Sequence, residues 1–542
     1  MMTPVARAYL LIAFLFMPLS LLWLLLSMDE ISLTWAAAGS APLQLVLFLL
    51  LLVWTVVGAR EYFFSTSNLR RNYPVLANLR YLLESFRPEI RQYFISNDLD
   101  ERPFSRERRD IVYSRAKDMT DTIPFGTKRN LLEDGYRSLQ HSLRPTHLEE
   151  CDCRVQFGGR QCEQPYNASR LNISAMSFGA LSANAVMALN KGAELGGFAH
   201  NTGEGSISPH HTKHNGDLIW QIGTGYFGCR QRSGRFDSEA FAERANLDQV
   251  KMIELKLSQG AKPSHGGVLP GAKVSEEIAE IRLVEVGRTV LSPPRHPEFD
   301  TPAGLLEFVQ RLRELSGGKP VGFKLALGKP SEFSAIVKAM LQTGILPDFI
   351  TVDGAEGGTG AAPVEFTNRL GVPCLEATYF VSQILLGADL KNDVRVISSG
   401  ITATGFDMLE KIALGADTVN AARSMMLALG CIQARACNTN RCPTGVTTQD
   451  KALARAINVE DKAKRVYRFQ RATVEAFLKL CGAMGLNSPD ELEPEHLFIR
   501  RDDGVHTYAD VNCSLLPGQL LADGEGPQRF RREWDSASPD SF

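Results

Sequence analysis

The sequence has little cysteine for its length, ten residues in 542, which excludes a secreted scaffold held together by disulfides. It has no surplus of either charge. The 59 Lys and Arg stand against 61 Asp and Glu, a net charge of −2, so nothing points to nucleic acid as a partner. Glycine (45) and proline (27) stay near average usage, which removes collagen-like and low-complexity classes. No internal repeat of a solenoid period is present. No G-x-G-x-x-G opens a helix after a candidate strand, so the dinucleotide-binding fingerprint is missing. With 44% apolar residues the chain is too apolar to be disordered, and its length allows one large domain with appendages.

Two long hydrophobic runs stand at the start. Residues 8–28 carry no charged side chain, and residues 41–59 have Gln44 and Thr55 as their only polar side chains. Each matches the roughly 20 residues a helix needs to cross a bilayer core. Asp29 and Glu30 lie between them, while Arg7 precedes the pair and Arg60, Arg70 and Arg71 follow it. The positive-inside bias predicts a transmembrane hairpin with both ends in the cytoplasm. The expected location is the inner (cytoplasmic) membrane, multi-pass, with lipid as a partner and the catalytic domain facing the cytoplasm. Ala36-Ala37-Ala38 resembles a signal-peptide cleavage site, but it lies too far beyond a first run that is too long.

Four regions follow from the pattern: a hairpin over 1–60, an Arg-rich helical connecting region over 61–165, a barrel over 166–450, and a C-terminal helix and polar tail over 451–542. In the connecting region Val75, Leu79, Leu82 and Leu83 recur at helical spacing, and Pro88 is expected to end that helix. A basic helix here could face anionic lipid, or simply solvent. Nine β-rich runs then alternate with helical patterns: 173–178, 198–202, 219–222, 252–257, 289–291, 321–327, 349–352, 394–398 and 418–420. The alternation predicts a parallel sheet, and eight units close a (β/α)8 TIM barrel, so at least one run is an excursion. The last helix is expected near 454–481, and the tail 524–542 is expected to be mobile.

Chemistry belongs at the carboxyl ends of such strands. Ser399-Gly400 and Ala421-Ala422 end two late strands and leave backbone amides open to a phosphate. Asp353 opens a run with four glycines in eight residues, including Gly357 and Gly358, where the backbone must approach something closely. Lys262 sits in a tight loop after a strand carrying Lys256, and Lys324 lies in an apolar strand where a lone cation is disfavoured. Such lysines suit the negative charge of a reduced flavin, or a substrate carboxylate or phosphate. The run His210-His211-Thr212-Lys213-His214 reads as a polar substrate-facing loop, with metal binding a minor alternative. Cys431, Cys437 and Cys442-Pro443 place three thiols within twelve residues, fitting an iron–sulfur cluster, 3Fe-4S by ligand count. Zinc would want a fourth ligand and disulfides disagree with a cytoplasmic site. Cys151, Cys153 and Cys162 form a looser second group of undecided use.

Together, residues 174–182 (Ser-Ala-Met-Ser-Phe-Gly-Ala-Leu-Ser), Asn201-Thr202-Gly203-Glu204-Gly205, Gln259-Gly260-Ala261-Lys262-Pro263, the Asp353 glycine loop and residues 430–450 resemble the FMN-binding synthase domain of glutamate synthase. Phe125-Gly126-Thr127-Lys128 and residues 196–211 resemble a stand-alone subgroup of that family more closely, of which this chain would be a membrane-anchored member. The resemblance implies FMN in the barrel beside a 3Fe-4S cluster on Cys431, Cys437 and Cys442. It implies Lys262, Glu204 and Lys256 in the catalytic machinery. Ser177, Thr202, Gln259, Lys324, Asp353, Gly357 and Gly358 would lie around the flavin, and Ser399, Gly400, Ala421 and Ala422 around its phosphate. The family's usual Gly-Gly turn reads Ser399-Gly400 here.

The chain starts Met-Met-Thr-Pro rather than with a nucleophilic cysteine, so the expectation is a synthase without its own glutaminase domain. Its substrates would be a 2-oxoacid, 2-oxoglutarate first, and ammonia or an amine. The electron donor would be ferredoxin, a reductase subunit or a membrane donor. The alternatives are a flavin and iron–sulfur enzyme acting on another amino acid or N-substituted amine, or a membrane-tethered redox sensor.

Overall fold

The computed structural model describes residues 4–30, 41–149 and 153–542, in two compact units, Met1–Arg102 and Pro103–Phe542. The alanine run at residues 36–38 lies outside the described residues, as does Cys151.

In the first unit, α1 (Pro4–Leu11) runs through a π turn at Ile12–Phe16 into α2 (Met17–Glu30), and α3 (Ala41–Phe64) follows. The π turn sits just before Pro18, which has no N–H for a regular helical bond. Pro4–Leu26 and Leu45–Phe64 are both long and apolar enough to cross a membrane, and only 17% and 11% of them is buried. They touch through Tyr9, whose hydroxyl donates to the Thr55 carbonyl at 2.7 Å. Its ring occupies the space of any side chain at Gly58, where a Cβ would lie 2.1 Å from Tyr9 Cε2.

Next comes α4 (Leu76–Ile90). Pro88 does not end this helix, as the sequence led us to expect. The chain passes through it and continues as a wider π turn at Arg91–Ile95, where the Ser96 N–H reaches five residues back to the Arg91 carbonyl. The donor that Pro88 lacks is lost on an exposed stretch of helix, where solvent can meet the freed carbonyl.

The second unit begins with α5 (Arg106–Ala116) and is built on a closed barrel of eight parallel strands. In chain order these are β1 (Leu171–Ile173), β2 (His200–Asn201), β3 (Leu218–Ile222), β4 (Val250–Lys256), β5 (Val321–Leu325), β6 (Phe349–Asp353), β7 (Arg395–Ser399) and β8 (Thr418–Ala421). Each pairs with the next, and β8 closes on β1 through Val419–Leu171 and Ala421–Ile173. The strands are buried almost throughout because helices cover their outer faces. The covering helices are α6 (Ala183–Gly196), α7 (Ser238–Ala245), α8 (Pro302–Leu315), α9 (Pro330–Thr343), α10 (Cys374–Gly387), α11 (Gly405–Ala413) and α12 (Arg423–Ala428). No helix joins β2 to β3; residues 202–217 cross as a loop.

The surplus sequence candidate, the run at 289–291, is the excursion. Val290–Leu291 pairs antiparallel with Val268–Leu269 in a hairpin outside the barrel. The first strand starts at Leu171, so residues 174–178 are the loop that leaves it rather than strand. An antiparallel hairpin, Arg154–Phe157 with Tyr166–Ser169, packs Val155, Phe157, Tyr166 and Ala168 against Ile219, Met252, Phe349 and Ile397. It plugs the amino end of the barrel, leaving the carboxyl end for a site.

The long helix after the barrel, α13, spans Val459–Ala483. The tail is ordered rather than mobile. In α14 (Gln528–Asp535), Phe530 and Trp534 are buried, Phe530 beside Phe380 of α10 at 5.8 Å between ring centroids and Trp534 under Lys338 of α9. Two aromatics four residues apart give this charge-rich helix one apolar face.

Candidate active site

The residues expected around a reacting centre converge at the carboxyl ends of the strands. Lys256 ends β4, and its ammonium lies 2.9 Å from the carboxylate of Glu204 in the β2–β3 loop. It also donates to the side chain of Gln259. Lys262 is buried in the loop beyond β4. Burial takes its pKa down to about 8, against the opposing pull of Glu204. For Glu204 itself burial pushes upward, but Lys256, Lys262 and Arg282 outweigh it and hold the carboxyl below its ordinary value. The backbone is shaped around this carboxylate. A Cβ on Gly223 or on Gly267 would lie 2.6 Å from one of its oxygens.

On β5 and β6, Lys324 and Asp353 form a buried ion pair at 3.3 Å. Burial works to lower the Lys324 pKa, while Asp353, Glu254 and Glu204 outweigh it, so the lysine stays charged. Asp353 also accepts from the Gly260 N–H at 2.9 Å, fastening the lysine loop to the glycine loop. A Cβ on Gly260 would lie 1.6 Å from the Gly354 carbonyl oxygen. Gly357 donates to that carbonyl at 2.8 Å, and a Cβ on Gly358 would lie 2.8 Å from Arg423 Cδ.

Ser177 accepts from Arg282 at 3.4 Å, and the Thr202 hydroxyl accepts from the Gln221 N–H at 3.1 Å. Ser399 at the end of β7 lies 3.3 Å, hydroxyl to hydroxyl, from Ser174, whose N–H donates to the Ala421 carbonyl. Ser399, Gly400, Ala421 and Ala422 therefore do meet, at the ends of β7, β8 and β1. A Cβ on Gly400 would crowd Cys374 Sγ at 2.9 Å, so the backbone there is closely held.

Four residues outside the expected site set bind this site together. Glu254 accepts from Asn201 at 2.8 Å, Gln221 at 2.6 Å and Thr351 at 2.6 Å, linking β2, β3, β4 and β6. Its signal was present: Glu254 and Lys256 alternate onto one side of an otherwise apolar strand. Arg282 donates to the Phe178 carbonyl at 2.8 Å, and burial takes its pKa down to about 10. Arg423, next to the named Ala422, donates to the Glu356 carbonyl at 2.6 Å. His296 bridges the Tyr226 hydroxyl at 2.9 Å and the Lys256 carbonyl at 2.8 Å, and burial takes it down to about 4. Nothing in the sequence marked it.

The three thiols of the cysteine loop sit close enough that Cys437 and Cys442 raise the Cys431 pKa, which burial above all pushes up to about 11. For Cys442 burial also pushes upward, but hydrogen bonds from Thr444 and Thr447 outweigh it and bring the thiol to about 7. Tyr113 of α5 donates to the Cys431 carbonyl at 2.7 Å. Gln433, Arg435 and Asn440 all take positive φ in this loop, a contorted backbone for residues with side chains. Among the described residues no three His, Cys, Asp or Glu side chains stand as a metal-binding group.

The two described members of the second cysteine group stand apart. Cys162 lies against the Gly318 carbonyl at 3.3 Å, while Cys153 faces Cys481. In the histidine run, His210 pairs with Glu277 at 2.8 Å, but His211 turns inward to Ser208, beside the ring of His200. It packs the loop rather than facing a substrate. A cavity of about 560 Å³ between residues 145–149 and α13 is lined by none of the strand-end residues.

A closed parallel barrel with buried ion pairs at its carboxyl ends defines a barrel enzyme. Residues 116–487 match the conserved region in glutamate synthase, and the chain belongs to the glutamate synthase family, oxidoreductases acting on CH–NH2 donors. The glutamate synthase large subunit-like protein YerD of Bacillus subtilis (strain 168) is 40% identical over 476 residues, 80% of this chain and 90% of that protein. The archaeal-type glutamate synthase (NADPH) of Thermotoga neapolitana is 32% identical over 336 residues, 62% of this chain and 63% of that protein. The match thus spans under two thirds of the latter. Among solved structures, a flavocytochrome b2 double mutant with pyruvate bound aligns over 87% of this chain and 97% of its own, at 14% identity and a TM-score of 0.42.

Proposed function

We propose that this chain is a membrane-anchored FMN and iron–sulfur oxidoreductase that carries out reductive amination, 2-oxoglutarate and ammonia giving glutamate and water with two electrons and two protons. The observation that carries it is the charge at the strand ends. The cations Lys256, Lys262, Lys324, Arg282 and Arg423 outnumber the acids Glu204, Glu254, Asp353 and Glu356 that face them. Such a mouth suits anions, namely the FMN phosphate and the carboxylates of a 2-oxoacid. FMN, when bound, supplies hydride transfer.

The chain's own residues would divide the remaining work. Lys324 and Gln259 would hold the flavin ring, with Ser177, Thr202, Gly357 and Gly358 around it. The backbone at Ser399-Gly400 and Ala421-Ala422 would take the phosphate. Lys262, with a pKa of about 8, is suited to hold the substrate carboxylate and to exchange a proton near neutral pH. Glu204 favours the charged form of Lys262 and pairs with Lys256 at 2.9 Å. Cys431, Cys437 and Cys442 would hold the 3Fe-4S cluster, a reading supported by an all-thiol donor set on one loop. Ferredoxin, a reductase subunit or a membrane donor would supply electrons. The two apolar helices would anchor the chain in the cytoplasmic membrane, with both ends inside.

The test is the purified chain's spectrum, then turnover of 2-oxoglutarate and ammonia with a chemical reductant. Flavin and cluster absorbance with glutamate formation is the expected result. Cofactors without glutamate would remove the substrate assignment. Colourless protein lacking iron, sulfide and flavin would overturn the redox reading altogether.

A further inference from the structure

The first unit holds an apolar surface that the two long helices do not explain. Along α4 and its π turn, Leu76, Leu79, Leu83, Phe86, Ile90 and Phe94 recur every three or four residues. At 3.6 residues per turn they form one stripe over roughly a quarter of the circumference. Each is exposed, Phe94 by 85%. Arg80, Arg87 and Arg91 follow one another along one edge of this stripe, Arg80 also lying 3.7 Å from Glu84.

The opposite side of the helix is fixed. Glu61, buried in the last turn of α3, accepts from Asn78 at 2.7 Å and from the Val75 N–H at 2.7 Å. The Tyr81 hydroxyl lies 3.0 Å from that of Ser67, and Arg70 stacks over the Tyr81 ring at 4.7 Å. Val75 itself takes φ +63, a strained choice for a branched residue that fixes the angle at which α4 leaves the turn. The apolar stripe is therefore held at a set position beside the end of α3, where Phe63 and Phe64 are also exposed.

We propose that this stripe lies in the headgroup layer of an anionic bilayer, a second kind of membrane contact added to the apolar hairpin. The inference rests on the membrane-anchored reading above. Three features favour lipid over a protein partner. The stripe is continuous with the end of a helix long enough to span a bilayer. Exposed aromatics mark that end, as they do at a membrane interface. Arginines edge the apolar sector, where they would meet lipid phosphates while the sector enters the acyl boundary.

The test places the photo-crosslinking residue benzoylphenylalanine at Leu83, Phe86 or Ser85 in the full-length chain, reconstituted in vesicles containing phosphatidylglycerol. Ser85 is exposed on the side away from the stripe. Lipid adducts at Leu83 and Phe86, with loss of the adduct at Ser85, are expected. Cross-links to a second copy or to the barrel would overturn the inference. So would equal adduct yields in purely zwitterionic vesicles, because the arginines would then contribute nothing. Flotation with vesicles is read in parallel. A chain that floats yet gives no adduct at Leu83 overturns this inference alone, whereas one that does not float overturns the membrane anchoring as well.

Discussion

The carboxylate of Glu204 stands 2.9 Å from the ammonium of Lys256, although one belongs to a loop after the second barrel strand and the other ends the fourth. The pair ties two separate strand ends into one electrostatic unit, and Lys262 titrates within its field. Glu204→Gln removes a charge that raises the Lys262 pKa, so that pKa falls below its present value of about 8. Activity that needs protonated Lys262 is lost as pH rises through this pKa. The alkaline limb of the rate profile should therefore move to lower pH in the variant. An unmoved limb would assign it to another group.

Lys262 should also reveal itself through stability. Its folded pKa is depressed below the unfolded value, so the unfolded chain binds more protons between the two, and stability rises as pH rises through that window. At neutral pH the buried charge is unfavourable. Lys262→Met should stabilise the protein by about 2 to 3 kcal/mol while abolishing turnover. Thermal melting at pH 7 and pH 10 checks both: the gain should shrink at the higher pH.

Asp353→Asn leaves Lys324 buried without its partner and weakens the acceptor for the Gly260 amide. Breaking such a pair costs about 3 to 5 kcal/mol. The double variant with Lys324→Met should recover part of that loss. Denaturant melts of the three variants give the coupling energy directly.

Gly260→Ala puts a methyl group where the Gly354 carbonyl oxygen now sits, 1.6 Å away. The two loops must separate, and we expect a loss of at least about 2 kcal/mol together with release of flavin during gel filtration. Flavin-to-protein absorbance ratios would register the second effect.

Replacing Cys431, Cys437 or Cys442 by serine should each remove iron and acid-labile sulfide, whereas Cys162→Ser, at a thiol held against the Gly318 carbonyl, should remove neither. Retention of full iron in any of the three would dismiss that thiol as a ligand.

The barrel was legible because its strands alternate with helices and lead into glycine or small residues, and the one surplus run proved to be a hairpin outside it. The lysines could be found for a simple reason: a cation in or beside an apolar strand needs a partner. What could not be read was pairing across distance. His296 reaches Lys256 from forty positions away, and Arg282 reaches Ser177 from more than a hundred, with no local spacing to announce either. Composition misled at the tail, where two aromatics decide the packing of a helix that is otherwise charged. Pro88 misled for another reason. On an exposed face the helix loses one donor at the proline and continues, because solvent can take the freed carbonyl.

The hairpin stoppering the amino end of the barrel, with Phe157 edge-on to Phe349, makes traffic one-sided. Whatever enters the barrel must leave by the same doorway. A bulky electron-delivering protein seated over that doorway would thus compete with departing product, and release could set the pace of turnover.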